Sequence, residues 1–319
     1  MKRIAVLTSG GDAPGMNAAI RAVVRVGITH GMEVYGIYSG YKGMIAGDIR
    51  PIKKEEVSGI SLTGGTILRT ARSEEFKTRD GQKRAVKQLD KFGIQGVVAI
   101  GGDGTFQGAK ALKEHGIPTI GVPGTIDNDL AYTDFTIGFD TAINTAVESI
   151  SKIQDTMRSH GRIGVIEVMG RHCGDIALYT AAACGAAAVI VPEFEWSLDE
   201  VAERLRKRHE QGTEHALVIV AEGAAGAEVI ARELTERTGY DIRYTVLGHV
   251  QRGGVPTVND ATLAARMGGR AVELLALGKG GRAVGIVNNH VEDFDIDQAL
   301  AKDFTRHDRL YRLIHMLAM

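Results

Sequence analysis

Three stretches hold residues whose types and spacing could do chemistry: "TSGGD" at 8–12, "GGDGT" at 101–105 and "PGTIDND" at 123–129. In the last, Asp127 and Asp129 stand two residues apart among glycine and threonine, unlike a solvated charge run. Hydroxyl groups are poor nucleophiles, and a carboxylate placed to take the proton helps one attack an incoming phosphoryl group. Asp127 is the candidate base. Asp129, of like charge, would raise its neighbour's pKa or help organise Mg²⁺, and Thr125 could bond a transferring phosphoryl oxygen. Spacing alone does not apportion these roles, and an Asx-type turn built on Asp127, Asn128 and Asp129 is the structural alternative. In "GGDGT" the glycines admit a nucleotide backbone while Asp103 faces a phosphate-bound Mg²⁺; the alternative is an aspartate capping a helix that starts near Phe106. Gly10 and Gly11 sit between a strand and a helix, where amide groups favour a phosphate or simply make a tight turn. Neither GxGxxG nor GxxxxGK[ST] is present in that loop.

Elements to position such loops are written along the chain. Apolar, β-branched runs ending in glycine, "IAVLTSGGD", "GVVAIGGDGT", "PTIGVPGT", "GVIEVMGRH", "ALVIVAEG" and "TVLGHVQRGG", alternate with helix-period stretches. Runs apolar on both faces predict parallel strands covered on both sides, with ligand groups at their carboxyl ends. Helices are predicted over 17–25, 106–115 and 197–210, the last with a capping box of Ser197 and Glu200. The 319 residues are 44% hydrophobic and 24% charged, enough for a large core, and 41 glycines against 6 prolines suit many tight strand-to-helix turns. A net charge of −1 gives no footprint for nucleic acid. Two cysteines without CxxC spacing and an opening strand pattern, "MKRIAVLTSGGD", lead us to expect a reduced, cytoplasmic protein without a leader. No apolar run approaches the roughly 20 residues a bilayer needs, so no membrane role is expected.

"GGDGT" is shared with sequences resembling NAD kinases and lipid kinases, so it supports nucleotide-dependent phosphoryl transfer without naming the acceptor. The acceptor comes from the other motifs. "GGDGT", "PGTIDND", "MGRHCGD" and "GHVQRGG", in this order, with "TSGGDAPGMNAAIR", "TARSEEFKT", "DFTIGFDTA" and "VAEG", resemble the bacterial ATP-dependent 6-phosphofructokinases along essentially the whole chain. The resemblance implies an α/β protein of two Rossmann-like lobes, with mostly parallel sheets covered by helices on both faces. They would be an ATP lobe of residues 1–138 and 251–301 and a fructose 6-phosphate lobe of 139–250 and 302–319, in a homotetramer. It implies ATP against Gly11, Arg72, Ser73, Gly102, Asp103, Gly104 and Thr105, with Asp103 on Mg²⁺. Position 73 is often cysteine in the family. For fructose 6-phosphate it implies Thr125, Asp127, Met169, Gly170, Arg171, Glu222, His249 and Arg252, joined by Arg162 and Arg243 of a neighbouring subunit. The guanidinium groups suit a phosphate dianion because their planar forks make paired, charge-assisted bonds. Pyrophosphate-dependent relatives carry an acid where this chain has Gly104 and a lysine where it has Gly124, which favours ATP as donor.

The family's effector site, for a nucleoside diphosphate or phosphoenolpyruvate, matches less well. Arg21 and Arg25 persist on one helical face, with Gly185. Gln154, Gln211 and Thr213 replace expected cations, Ala187 replaces an expected Mg²⁺-binding acid, and Glu214 adds a negative charge. Each lost charge-assisted contact is worth roughly 1.5–3 kcal/mol. Weak or absent effector control is therefore expected, with His215 and Arg208 as the nearby cations that could compensate. A kinase of a different acceptor would have no need of the arginine and histidine set around "GHVQRGG", and a non-catalytic sensor would have no need of Asp103 and Asp127.

Overall fold

A computed structural model describes residues 1–303 and 307–318; residues 304–306 and 319, which fall in the second expected lobe, lie outside the described residues. The strands are β1 (Arg3–Thr8), β2 (Glu33–Ile37), β3 (Ile49–Pro51), β4 (Val97–Gly101), β5 (Thr119–Thr125), β6 (Ile137–Gly138), β7 (Ile163–Val168), β8 (Ala188–Ile190), β9 (Ala216–Ala221), β10 (Ile242–Val246), β11 (Arg282–Val287) and β12 (His290–Asp295). The chain forms two compact units, one of residues 1–126, 130–141 and 252–303, the other of 127–129, 142–251 and 307–318.

The first unit is built on a sheet ordered β12-β11-β5-β4-β1-β2-β3, with β6 beside β5. Its central strands run parallel, and β4 and β5 are buried at every position, so both faces must be apolar. Only β3 and β12 at the two ends pair antiparallel with their neighbours. The core on one face gathers Leu7, Met44, Leu89, Phe106 and Leu112 from strands and helices. The second unit carries a parallel sheet ordered β10-β7-β9-β8, packed on Val201, Leu205, Ile230 and Leu234. The described residues therefore form an α/β protein with mostly parallel sheets. None of their helices is long and apolar enough to cross a membrane.

The expected helices are present but longer, Met16–Thr29 and Asp103–Glu114, with Leu198–Glu210 for the third. Two local readings are corrected. Ser197 has the extended backbone of an N-cap, yet its side chain makes no capping bond, so the capping box is a pattern without its hydrogen bond. In "TVLGHVQRGG" the strand ends at Val246 and Gly248–Arg252 form a 3₁₀ turn. Val246 and Val250 are exposed, so that apolar run does not serve the core.

Candidate active site

In the first unit the glycine-rich loops meet. Ser9–Gly15 connect β1 to the helix Met16–Thr29, and Gly10 adopts a left-handed φ of 86°. Three carbonyls of this loop are tied off by side chains from elsewhere in the same unit. Thr105 Oγ1 donates to Ser9 at 3.0 Å, Thr70 Oγ1 to Gly10 at 2.7 Å, and Arg252 Nη1 to Asp12 at 3.1 Å. With its carbonyls engaged, the loop is left to recognise a ligand through amide donors, as suits an anion. Gly101 is forced by this convergence, because a Cβ there would stand 2.2 Å from Thr105 Oγ1 and 2.4 Å from the Ser9 carbonyl.

Asp103 does not cap the helix that follows. Gly102 is the N-cap residue and Asp103 lies in the first turn, exposed, in no hydrogen bond or ion pair with a described residue. A carboxylate at that end is favoured by the helix dipole. Beside it, a Cβ on Gly104 would meet open space, whereas one on Gly124 would stand 2.9 Å from Ile100 Cγ2 and 3.4 Å from Met16 Cε. The two glycines thus have different physical reasons. Thr125 ends β5 and is buried, and its carbonyl accepts from Thr136 Oγ1 at 2.7 Å. A Cβ on Gly102 would sit 3.5 Å from Thr125 Cβ, so these two loops are also neighbours. Arg72 is exposed with no ion pair among the described residues, while Ser73 Oγ accepts from Phe76 N at 3.3 Å and shapes the turn after it.

The second unit offers side chains rather than bare backbone. Asp127 is 3% exposed, and Asn128 after it is left-handed at φ 53°. The Asn128 side chain donates to Asp175 Oδ2 at 2.7 Å. Asp129 pairs with Arg171 at 3.5 Å. Arg171 is itself left-handed, at φ 55°, and its amide donates to Glu222 Oε1 at 2.8 Å. Gly170 before it has φ 136° with a Cβ position 2.3 Å from the Cys173 carbonyl, so the "MGR" turn is fixed by backbone geometry. Met169 is buried and its amide donates to the fully buried Gln251. Burial pushes the Cys173 thiol far up, consistent with packing. His249 is exposed on the 3₁₀ turn.

Arg162 and Arg243 share an acid that sequence reading missed. Asp241 pairs with Arg162 at 2.7 Å and with Arg243 at 2.9 Å. The Arg162 hydrogen bond, with the charges of both arginines, holds its carboxyl below the usual range. Strands β7 and β10 run in parallel register with Arg243 opposite Gly164, which brings the two guanidinium groups to one acid. Only the D-x-R spacing of Asp241 and Arg243 hinted at it.

The effector candidates are largely engaged in the fold. The Gln154 amide donates to the Cys184 carbonyl at 3.0 Å, at the end of the helix that Gly185 closes with φ 65°. The carbonyl of buried Ala187 accepts from Arg204, and Arg208 Nη1 donates to the Ala318 carbonyl at 2.9 Å. Gln211 is exposed; Thr213, His215, Arg21 and Arg25 are half-buried.

The family model described as phosphofructokinase matches residues 3–275. Curated relatives named ATP-dependent 6-phosphofructokinase are 55% identical over 319 residues in Halalkalibacterium halodurans and 56% identical over 318 residues in Clostridium tetani, each pair covering 100% of both chains. A solved phosphofructokinase from Saccharomyces cerevisiae is similar with a TM-score of 0.88 and 36% identity; the match covers 94% of this chain and 45% of the yeast chain. A pyrophosphate-dependent phosphofructokinase from Marinobacter aquaeolei shares the fold, with a TM-score of 0.82 at 21% identity. With its glycine-lined loops, its paired acids and full-length likeness to such relatives, the chain belongs to the phosphofructokinase family.

Proposed function

We propose that this chain is an ATP-dependent 6-phosphofructokinase that transfers the γ-phosphoryl group of ATP to the 1-hydroxyl of fructose 6-phosphate. The observation that carries the reading is full-length identity of 55–56% to relatives of that name, together with the buried Asp127 two residues past the end of β5. Asp127 takes the hydroxyl proton, and Arg171, anchored through its amide to Glu222, neutralises charge on the group in transit. Thr125 bonds a phosphoryl oxygen, and Asp129 holds the Arg171 guanidinium. The first unit, we propose, takes ATP through Gly11, Arg72, Ser73 and the 102–105 loop. The sugar phosphate, we propose, is taken by Met169, Gly170, Arg171, Glu222, His249 and Arg252, with Arg162 and Arg243 of a neighbouring copy.

Mg²⁺ fits the free carboxylate of Asp103, since this ion is held through one or two carboxylates plus substrate phosphates. Bound there, it would neutralise phosphate charge. ATP rather than pyrophosphate is supported at Gly124, where Ile100 and Met16 leave no room for a lysine Cβ without moving. A homotetramer is supported by the edge strand β10, whose Tyr244 and Val246 are exposed beside Val250. Cytoplasmic placement accords with a glycolytic substrate.

The test is an initial-rate titration of fructose 6-phosphate with Mg-ATP and, separately, with Mg-pyrophosphate. Production of fructose 1,6-bisphosphate with ATP alone is expected. Turnover with pyrophosphate and none with ATP, or no turnover with either donor, would overturn the reading.

A further inference from the structure

Asp175 opens the helix Asp175–Cys184, is fully buried and has no part in the proposed reaction. Its Oδ2 takes the Asn128 Nδ2 donor at 2.7 Å and lies 3.3 Å from His307 Nε2. Asn128 is the left-handed residue between Asp127 and Asp129, a conformation that few side chains adopt and that persists where its surroundings hold it. His307 brings a cation to a carboxylate that burial would otherwise penalise. The C-terminal helix Asp308–Leu317 has other anchors. Tyr311 stacks on Phe194 at 3.9 Å, His315 meets Arg204, and the Ala318 carbonyl takes Arg208. Holding the helix in place therefore does not depend on His307.

We propose that His307 is a positioning residue for the turn carrying Asp127 and Asp129, acting through Asp175 and Asn128. The proposal rests on the reading of Asp127 as the base. Without the imidazolium, the buried Asp175 carboxylate keeps Asn128 as a neutral partner and loses its cation, so its hold on Asn128 slackens. The turn then relaxes while Arg162, Arg243 and Arg252, which it does not carry or pair with, are untouched, so kcat falls and KM does not. Groups facing His307 are Asp175 and the Tyr179 ring from the helix 175–184 and Glu193 after β8, with Asp308 and Arg309 on its own helix. The hydrogen bond to Asp175 leads in raising the imidazole above its ordinary value, with burial opposing and Glu193 assisting. The cation is complete below that ordinary value and is lost as pH rises through the raised one.

The experiment measures kcat and KM against pH for the full-length enzyme and for His307→Ala, His307→Gln and Asp127→Asn. His307→Ala is expected to lower kcat about tenfold with KM held within about twofold. His307→Gln, which keeps an N–H donor but carries no cation, should stay nearly as slow as the alanine variant and lose the fall in kcat that the wild type shows on the alkaline side. A His307→Ala kcat within about twofold of wild type overturns the proposal, as does a rise in KM equal to the loss of kcat. Should the alanine variant not fold, the glutamine variant decides, and a pH profile unchanged from wild type overturns it. An active Asp127→Asn enzyme would refute the base assignment and the premise together; an inactive one beside a normal His307→Ala refutes only the relay.

Discussion

The two units build their proposed anion sites by opposite means. The first uses backbone: glycines at 10, 11, 101, 102 and 104, with loop carbonyls tied off by Thr105, Thr70 and Arg252. The second uses charged side chains held in place by acids, Arg171 by Asp129 and Glu222, and Arg162 and Arg243 by Asp241. A backbone site is spoiled by adding atoms, whereas a side-chain site is spoiled by removing them. Mutations of the two kinds therefore test different halves of the molecule.

The largest effect belongs to a removal. Asp127→Asn keeps size and loses the proton acceptor, so kcat should fall by about 10²–10⁴-fold with little change in fructose 6-phosphate KM, read by steady-state kinetics. An equal collapse of sugar-phosphate binding would show that Asp127 is a ligand rather than a base.

An addition comes next. A Cβ on Gly11 would stand 2.6 Å from Arg252 Nη1, the far end of a flexible side chain. Gly11→Ala should thus leave thermal stability nearly unchanged while displacing Arg252, raising the sugar-phosphate KM about 10- to 100-fold, the range of a lost charge-assisted contact. If only the ATP KM rose, Gly11 and Arg252 would serve separate ligands and the comparison would sharpen.

The smallest expected effect concerns effectors. With Gln154 bonded to Cys184 and Arg208 to Ala318, rate curves against fructose 6-phosphate should hardly move on adding phosphoenolpyruvate or ADP. A strong rightward shift at micromolar effector would show that the arginines of the helix Met16–Thr29 suffice.

The fold was legible because strands buried on both faces leave unbroken apolar runs, as in β4 and β5, and because β4 ends in glycine just before a helix. Where an apolar run met solvent, as at Val246 and Val250, the same reasoning misplaced it. The glycine chemistry of "TSGGD" and "GGDGT" was readable in each loop, but the Thr105 bond that joins them was not. Asp175 and Asn128 lie 47 residues apart, and Asp241 binds an arginine 79 residues away, so no spacing announces either partnership. Ser197 shows the converse: a motif complete in letters whose hydrogen bond the folded chain does not make.

Neither unit is a continuous stretch of chain, and this bears on how the molecule is synthesised. Strand β5 lies between β4 and β11, yet residues 282–287 leave the ribosome more than 150 residues after β5 ends at Thr125. All of 142–251 emerges first and has what it needs to assemble its own sheet, apart from the last few residues of the chain. During that interval the edge of β5 that β11 will cover stands open, a long apolar strand with unpaired amides of the kind that recruits another chain. Vectorial synthesis therefore makes the first unit begin first and finish late, and the nascent chain must keep that edge from a neighbour until β11 arrives.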